Sequence, residues 1–177
     1  TLDVNTAFVG FSEIDLQATR NLTLAAGVTW DLGASTGLGD VPGRLRLEAG
    51  NNLTIANNAT LVAPGDWSVT LEAGRDFATR DGLKPGVGSI TFSGTGSLQT
   101  ERGDVTLRAG NHVTVNSGFV RTAGGGVIDV TAVAGTINTG SKAAGFRFLP
   151  TGYAVDPDLG GISTAAGGNV SLTAGTD

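Results

Sequence analysis

Six short segments of this chain alternate apolar and polar residues in the same order. The order is clearest in Leu47-Glu48-Ala49-Gly50. Aligned on that leucine, the segments have the anchors Leu16, Leu47, Leu71, Leu107, Val130 and Leu172. Residues two positions before each anchor are aliphatic, residues two positions after it are alanine, and those between are polar. Alternation with a period of two predicts six β-strands, each with one buried face and one wet face.

The alanine column predicts a tight corner at the end of each strand, where a larger side chain would not fit. Four of the six copies place a glycine directly after this alanine: Gly50, Gly74, Gly110 and Gly175. Glycine adopts positive φ without steric cost, so we expect these residues to turn the chain in the left-handed region.

A second strand follows the anchor at a fixed offset in three copies, and a third strand precedes the next anchor by 9 or 10 residues. The second is indicated by Leu22/Leu24, Leu53/Ile55 and Val113/Val115, and the third by Leu61, Leu98, Val120 and Ile162. Anchors lie 23 to 42 residues apart, so each repeat holds three strands and three turns, and the longer repeats carry insertions. Side chains alternate between the two faces of a strand, and Trp67 occupies one of the positions that face inward, so we expect it to pack in the core.

This pattern predicts an all-β fold, a right-handed single-stranded parallel β-helix (β-solenoid) of about six coils. We expect residues 1–177 to form a single β-helix domain with insertions near 28–44, 78–88 and 141–161. The rival is an antiparallel sandwich or barrel, which also has many short strands. That fold does not require the same residue type at the same offset in each unit, whereas a solenoid stacks each residue on its equivalent.

Composition narrows the classes of partner. The net charge is −5 and there is no basic cluster, so nucleic acid is an unfavourable partner. No apolar run approaches the roughly 20 residues that a membrane-spanning helix needs. Cysteine is absent, which removes disulfides and thiolate chemistry. Methionine is absent even at position 1, so we expect a processed product or a fragment of a larger protein.

Two segments resemble the repeat of filamentous-haemagglutinin-type exoproteins, the large β-helical passengers of bacterial two-partner secretion. They are Val105-Thr106-Leu107-Arg108-Ala109-Gly110-Asn111 and Gly167-Gly168-Asn169-Val170-Ser171-Leu172-Thr173-Ala174-Gly175. The resemblance implies an extracellular or cell-surface location on a Gram-negative bacterium and secretion through an outer-membrane transporter. Its members are typically adhesins, haemolysins, contact-inhibition rods or matrix proteins. The family's secretion domain carries Asn-Pro motifs, which this sequence lacks, so the piece would belong to the rod.

Candidate catalytic groups are few, and we expect no catalytic residue, no metal site and no cofactor. His112 is the only histidine, and its repeat position is held elsewhere by Asn21, Asn52 and Asp76, which indicates a turn residue that tolerates left-handed backbone. Glu48 and Glu72 would stack on one outward face, where paired carboxylates can raise one pKa. Because Arg46 and Arg108 share that face, an exposed ladder of mixed charge is the favoured interpretation.

The insertion at residues 141–161 concentrates aromatic residues in a chain that is only 6% aromatic. Its candidate binding residues are Phe146, Arg147, Phe148 and Tyr153, because loops on a rigid scaffold often carry recognition. The alternative is that these rings form a small satellite core. Asp156 and Asp158 could bind calcium through oxygens, although their spacing fits no calcium motif and a plain turn is favoured.

These observations predict an extracellular structural or adhesive module and not an enzyme. Its expected partners are a host or neighbouring cell surface, a glycan, or further copies of itself. Two alternatives stay open. Some β-helices act on polysaccharides as lyases or glycosidases, and the open ends of a coil stack offer unpaired strand edges for a self-assembling extracellular filament.

Overall fold

A computed structural model describes residues 1–79, 82–142, 147–149, 152–154 and 160–176, of which 147–149 and 152–154 are described by their backbone alone. The strands and the one short helix of the described residues are, in chain order, β1 (Glu13–Ala18), β2 (Leu22–Leu24), β3 (Thr29–Asp31), α1 (Leu32–Thr36), β4 (Arg44–Ala49), β5 (Leu53–Ile55), β6 (Thr60–Ala63), β7 (Ser68–Ala73), β8 (Ile90–Phe92), β9 (Ser97–Thr100), β10 (Val105–Ala109), β11 (Val113–Val115), β12 (Phe119–Thr122), β13 (Ile128–Ala132), β14 (Ile137–Asn138), β15 (Arg147–Leu149), β16 (Gly152–Ala154), β17 (Gly161–Thr164) and β18 (Val170–Ala174).

Three parallel sheets run along the molecule, and the chain visits them in turn. The first sheet has the order β1-β4-β7-β10-β13-β18, the second β2-β5-β8-β11-β14 and the third β3-β6-β9-β12-β17. Each of the first five coils contributes one strand to each sheet, β18 begins a sixth coil, and every pair within these sheets is parallel. Parallel neighbours joined by turns rather than helices make a three-sided β-helix, so the predicted parallel β-solenoid of six coils is confirmed.

The register follows the sequence repeat residue by residue. In the first sheet Leu47 pairs with Leu71, Leu71 with Leu107 and so on through all six anchors. The alanines pair in the same way, so that Ala49, Ala73 and Ala109 lie over one another. The third strands pair through the predicted Leu61, Leu98, Val120 and Ile162. Equivalent side chains therefore form files along the molecule.

The core lies inside the coil and is built from these files. Inward residues such as Leu45, Leu47, Ile55 and Leu98 are completely buried. Trp67 is buried too, as its inward-facing position predicts. Burying a Leu or Ile side chain contributes about 1.5–3 kcal/mol, and each inner side chain contacts its equivalents in the coils on either side. The stack of aliphatic files is the main source of stability.

Glycines after the alanine column serve a different purpose from the predicted one. Only Gly74 has positive φ; Gly50, Gly110 and Gly175 do not. A Cβ on Gly50 would lie 2.1 Å from the carbonyl oxygen of Thr19 in the preceding coil. Glycine is needed there because neighbouring backbones approach closely at the corner, so the prediction of left-handed backbone was wrong for three of the four.

A second glycine column precedes the first sheet, and Trp67 interrupts it. Gly43, Gly103, Gly126 and Gly168 stand at the equivalent position in other coils, just before the strand pairings of the first sheet. A Cβ on Gly43 would lie 2.4 Å from the indole ring of Trp67, and one on Gly103 would lie 1.9 Å from the Trp67 carbonyl oxygen. The indole occupies the space that the absent side chain of Gly43 leaves.

Three insertions leave the coil at three different corners. The first, residues 32–43, follows the third sheet and begins with α1, whose N-cap Asp31 accepts a hydrogen bond from the Ala34 amide. The second, residues 74–89, joins the first sheet to the second. The third, residues 139–160, joins the second sheet to the third and includes the antiparallel pair β15–β16. The rod therefore carries an extra segment on each of its edges.

The two ends of the stack differ. Near the N-terminus Phe8 stacks on Trp30 with ring centroids 5.5 Å apart, and Val4 and Phe8 pack against the core. At the other end β18 is an edge strand whose Val170 and Leu172 are 41% and 45% exposed. The described residues include no helix with the length and apolar character needed to cross a membrane.

Candidate functional site

Glu48 and Glu72 occupy the same position in adjacent strands, β4 and β7. The sequence predicted an exposed ladder here, and that prediction was wrong, because the two residues are only 1% and 2% exposed. The second insertion explains the difference. Its first side chain, Arg75, lies against both carboxylates, and the Arg75 amide donates to the Ala49 carbonyl oxygen at 2.9 Å. The insertion folds back over the wet face of the sheet and buries the acidic pair.

Three arginines surround the pair. Arg46 Nη2 lies 2.7 Å from Glu48 Oε1 and 3.0 Å from Glu72 Oε2. Arg75 Nε lies 2.9 Å and 3.5 Å from the same two oxygens. Arg108, one coil further on, donates from Nη1 to Glu72 Oε1 at 3.0 Å. The cluster is thus a compact network of two acids and three bases, with Glu72 at its centre.

The pKa values of the two carboxyl groups are shifted in opposite directions. Burial raises the pKa of Glu48, and its hydrogen bond with Glu72 raises it further, against the attraction of Arg46 and Arg75. Burial also opposes ionisation of Glu72, but hydrogen bonds from Arg46 and Glu48 and the charges of Arg46 and Arg75 outweigh it, so the pKa of Glu72 is lowered. Glu72 therefore ionises more readily than an isolated glutamate, and Glu48 retains its proton more readily.

Glu48 is incompletely satisfied. Its Oε2 accepts a hydrogen bond from Gln17 Nε2 at 2.6 Å. Its Oε1 lies close to Arg46 and Arg75, yet among the described residues no donor reaches this oxygen with hydrogen-bond geometry. A buried acceptor in this condition is uncommon and usually has a structural or functional explanation.

A cleft of about 580 Å³ opens beside the cluster. It lies between the first coils and the start of the second insertion, and the following residues line it: Gln17, Thr19, Glu48, Arg75, Asp76 and Phe77. We call this the Glu48 cleft. Its lining combines hydrogen-bond donors and acceptors with one half-buried aromatic ring.

Hydrogen bonds fix the insertion that forms the wall of the Glu48 cleft. Asp76 Oδ1 accepts from the amides of Ala78 and Thr79 at 3.0 and 3.4 Å and lies 3.3 Å from Lys84 Nζ. A hydrogen bond with Thr79, more than these other contacts, lowers the pKa of Asp76. The Lys84 amide donates to the Gly74 carbonyl oxygen at 2.8 Å, which draws the two ends of the insertion together.

The binding residues predicted from the sequence lie elsewhere. Arg147 and Phe148 belong to β15 and Tyr153 to β16, where Phe148 pairs with Tyr153 across the hairpin. Phe146 lies outside the described residues, as do Asp156 and Asp158. Their part in binding stays a prediction, separate from the Glu48 cleft.

His112 lies at a corner between β10 and β11, in a ladder with Asn21, Asn52, Ser89 and Thr136. Asn52 Oδ1 accepts from the Ser89 amide at 3.0 Å, and His112 Nδ1 accepts from the Thr136 amide at 3.1 Å. The expected member Asp76 is not in this ladder, because the second insertion displaces it and Ser89 takes its place. None of the ladder residues has positive φ.

Within the described parts of the chain, no group of three or more His, Asp or Glu residues is placed to hold a metal ion. Comparisons with models of known protein families, with curated proteins and with solved structures found no match for this chain.

Sequence reasoning found the two acids but missed the cleft. It missed Arg75, Asp76 and Phe77 because they follow the glycine of the third copy and read as part of the repeat. One signal was present: this copy has Arg-Asp where two others have consecutive Asn or Asn-His. No other copy has two adjacent residues of opposite charge at this corner, which indicates a local departure from the repeat.

Proposed function

We propose that this chain is an extracellular structural and adhesive module, a stiff segment of a bacterial surface or secreted exoprotein. The observation that carries the proposal is the register of the first sheet, in which six strands pair without a slip from Ile14 to Ala174. A stack of this kind behaves as a quasi-one-dimensional rod. Its insertions emerge at all three edges, where loops on a rigid scaffold commonly carry recognition.

The cellular setting is part of the same proposal. The resemblance of the repeat to filamentous-haemagglutinin-type exoproteins supports a location on the surface of a Gram-negative bacterium, reached through an outer-membrane transporter. Surface protease digestion of intact cells tests this location. We expect the chain to be cleaved in intact cells that have the transporter, and to be protected from protease in cells that lack it.

Adhesion is tested with the purified chain and fluorescent cells of candidate hosts. We expect saturable attachment that falls about tenfold when the third insertion, residues 139–160, is replaced by a short glycine-containing turn. The control replaces residues 116–118, the short turn between β11 and β12, with a different turn of equal length. Absence of saturable attachment to any host or neighbouring cell would overturn the adhesive role. Full attachment by the loop variant would remove this insertion as the contact.

A polysaccharide-acting enzyme is the second candidate, favoured by one observation. Glu48 and Glu72 have pKa values shifted in opposite directions beside a cleft, as general acids and bases in glycosidases do. Against this, Arg46 and Arg75 each contact both carboxylates, so the two oxygens are bridged by protein and leave no space for a sugar between them. Release of reducing ends or unsaturated products, abolished by Glu48→Gln, would establish catalysis.

Self-assembly into a filament is favoured by the edge strand β18, whose exposed Val170 and Leu172 belong to files that are buried in every middle coil. A second copy pairing at this edge would cover them. We expect concentration-dependent association in light scattering, reduced by Leu172→Lys. Monomers at all concentrations, with dispersed particles in electron micrographs, would count against the filament.

A further inference from the structure

We infer that the Glu48 cleft is a saccharide site that takes a neutral pyranose unit of a glycan chain. The inference rests on the proposed adhesive function and deepens it by naming the ligand class and its place. It places a contact at residues 75–77, the start of the second insertion, in addition to the contact expected in the aromatic third insertion.

The dimensions of the cleft fit a small ligand. Binding clefts for small molecules measure about 300–1,000 Å³, and the Glu48 cleft, at about 580 Å³, falls inside this range. It is partly open to solvent, which suits one unit of a polymer that continues beyond the site. A closed pocket would admit only a free sugar.

The lining matches the two faces of a pyranose. Sugar hydroxyls both donate and accept, and the cleft offers a donor in Arg75, an acceptor in Asp76 and groups with both capacities in Gln17 and Thr19. The half-buried ring of Phe77 supplies an apolar surface for the C–H face of the sugar. Binding sites for small molecules usually combine a few polar groups with an apolar or aromatic surface.

Glu48 provides an independent indication that a ligand belongs here. Glu48 lines the cleft and is buried, and its Oε1 receives no hydrogen bond among the described residues, although Arg46 Nη2 and Arg75 Nε lie 2.7 and 2.9 Å from it. A buried acceptor without a hydrogen bond beside an open cleft is uncommon and indicates that the surrounding contacts rearrange when a ligand supplies a donor.

The polar groups are held before any ligand arrives. Arg75 is fixed between Glu48 and Glu72, and Asp76 is fixed by two backbone amides and Lys84. Side chains that are already ordered lose little entropy on binding, which favours useful affinity from a small contact.

Charge favours a neutral sugar over an ionic one. The charges that line the cleft are already paired, Arg75 with Glu48 and Glu72 and Asp76 with Lys84, so an ionic sugar would find no free counter-charge there. Hydroxyls use donors and acceptors of both signs without a net charge of their own. The ionic sugars are therefore the discriminating competitors in the experiment.

The test is a titration of the ¹⁵N-labelled chain, followed by NMR, with neutral, uronate-containing, sulfated and amino oligosaccharides. We expect neutral oligosaccharides to shift the amides of Gln17, Thr19 and residues 74–77, with weaker effects from the ionic ones. Phe77→Ala should weaken binding by about tenfold, which corresponds to about 1.4 kcal/mol. Phe11→Ala is the matched control, because Phe11 is an exposed phenylalanine outside the cleft.

The outcomes separate the inference from the proposed function. Unchanged affinity in Phe77→Ala, perturbed amides in another part of the molecule, a preference for an ionic sugar, or no glycan binding at millimolar concentration would each overturn the saccharide site. If the chain still attached to cells in any of these cases, the adhesive role would stand with a different contact. If attachment were absent as well, both the saccharide site and the adhesive role would fail.

Glu48→Gln provides a second variant that preserves the shape of the side chain, and we expect it to weaken glycan binding severalfold in a folded chain.

Discussion

Glu48 and Glu72 lie side by side in neighbouring strands, and one nitrogen of Arg46 contacts both carboxylates, at 2.7 and 3.0 Å. The stacking that builds the core also dictates this contact, since equivalent positions of consecutive coils must meet. Two acids at one position would repel each other if both were ionised. The three arginines and the raised pKa of Glu48, which eases its protonation beside Glu72, offset this repulsion.

Replacing Glu72 by Gln should destabilise the protein at neutral pH. The pKa of Glu72 is lowered in the folded state, so its contribution is present above the unfolded pKa and is lost as pH falls through the folded one. Removing a buried charge that receives hydrogen bonds from two arginines should cost about 1.5–3 kcal/mol. Urea unfolding at about pH 7 and about pH 3 measures this, and we expect the deficit to shrink at the acidic pH.

Replacing Glu48 by Gln should have the opposite pH dependence. The pKa of Glu48 is raised in the folded state, so its contribution is present below the unfolded pKa and is lost as pH rises through the folded one. At about pH 8 the neutral amide avoids burying a second charge, and we expect stability equal to wild type or up to about 1 kcal/mol higher. A loss in Glu48→Gln as large as that in Glu72→Gln at this pH would contradict the assignment of Glu72 as the more readily ionised member of the pair.

Gly43 and Trp67 provide a test of how the coils approach one another. A Cβ on Gly43 would enter the indole ring at 2.4 Å, and Trp67 is completely buried, so neither residue can move aside without cost. We expect Gly43→Ala to destabilise the fold by about 1–3 kcal/mol, as overpacking does. Thermal or urea unfolding of the variant measures the loss.

The matching control is a double-mutant cycle with Trp67→Leu. The smaller side chain should itself destabilise by leaving a cavity, but it should also make room at Gly43. We expect Gly43→Ala to cost less in the Trp67→Leu background, with a coupling of about 0.5–3 kcal/mol. Additive effects of the two changes would show that the glycine is required for another reason.

A repeated hydroxyl contact closes the corner between the third and first sheets. Thr122 Oγ1 donates to the Gly126 carbonyl oxygen at 2.8 Å, and Thr100 makes the same bond to Gly103 at 2.7 Å. Thr122 is completely buried, so Thr122→Val would leave that carbonyl oxygen without its hydroxyl donor and should cost about 1–2 kcal/mol. Thr106→Val, on the wet face of β10, is the control and should change stability by less than about 0.5 kcal/mol. Equal effects of the two substitutions would refute a role for the hydroxyl.

The fold could be predicted from the sequence because the stacking of coils imposes the same residue types at equivalent positions. A parallel coil places each residue on its equivalent, so requirements at one position recur in every copy, as the alanines paired with Ala73 show. The pattern identified the six strands of the first sheet and their register. It did not identify β8, because the second insertion separates Ile90 and Phe92 from their anchor by a longer interval than in other coils.

The candidate site could not be predicted in the same way, since it arises where the repeat is interrupted. The alternation correctly placed Glu48 and Glu72 on the outer face of the sheet. Their burial depends on Arg75 and Phe77, whose path the repeat does not determine. The reason for a recurring glycine within the repeat is hidden in the same way. The sequence shows a glycine at position 50, but only the structure shows that the nearby Thr19 carbonyl oxygen, and not a positive φ, excludes a side chain there.

His112 tests whether the corner ladder works through a side-chain acceptor. Asn21 Oδ1 accepts from the Asn52 amide at 3.1 Å, and His112 Nδ1 accepts from the Thr136 amide at the same distance three coils further along. Asparagine should therefore replace histidine within about 0.5 kcal/mol, whereas His112→Leu would leave an amide without its acceptor and cost about 1–2 kcal/mol. The ring should carry its proton on Nε2, which ¹⁵N chemical shifts of the imidazole report directly. A protonated Nδ1 in the neutral ring, or equal stability of the Asn and Leu variants, would show that the ladder is held by backbone pairing alone.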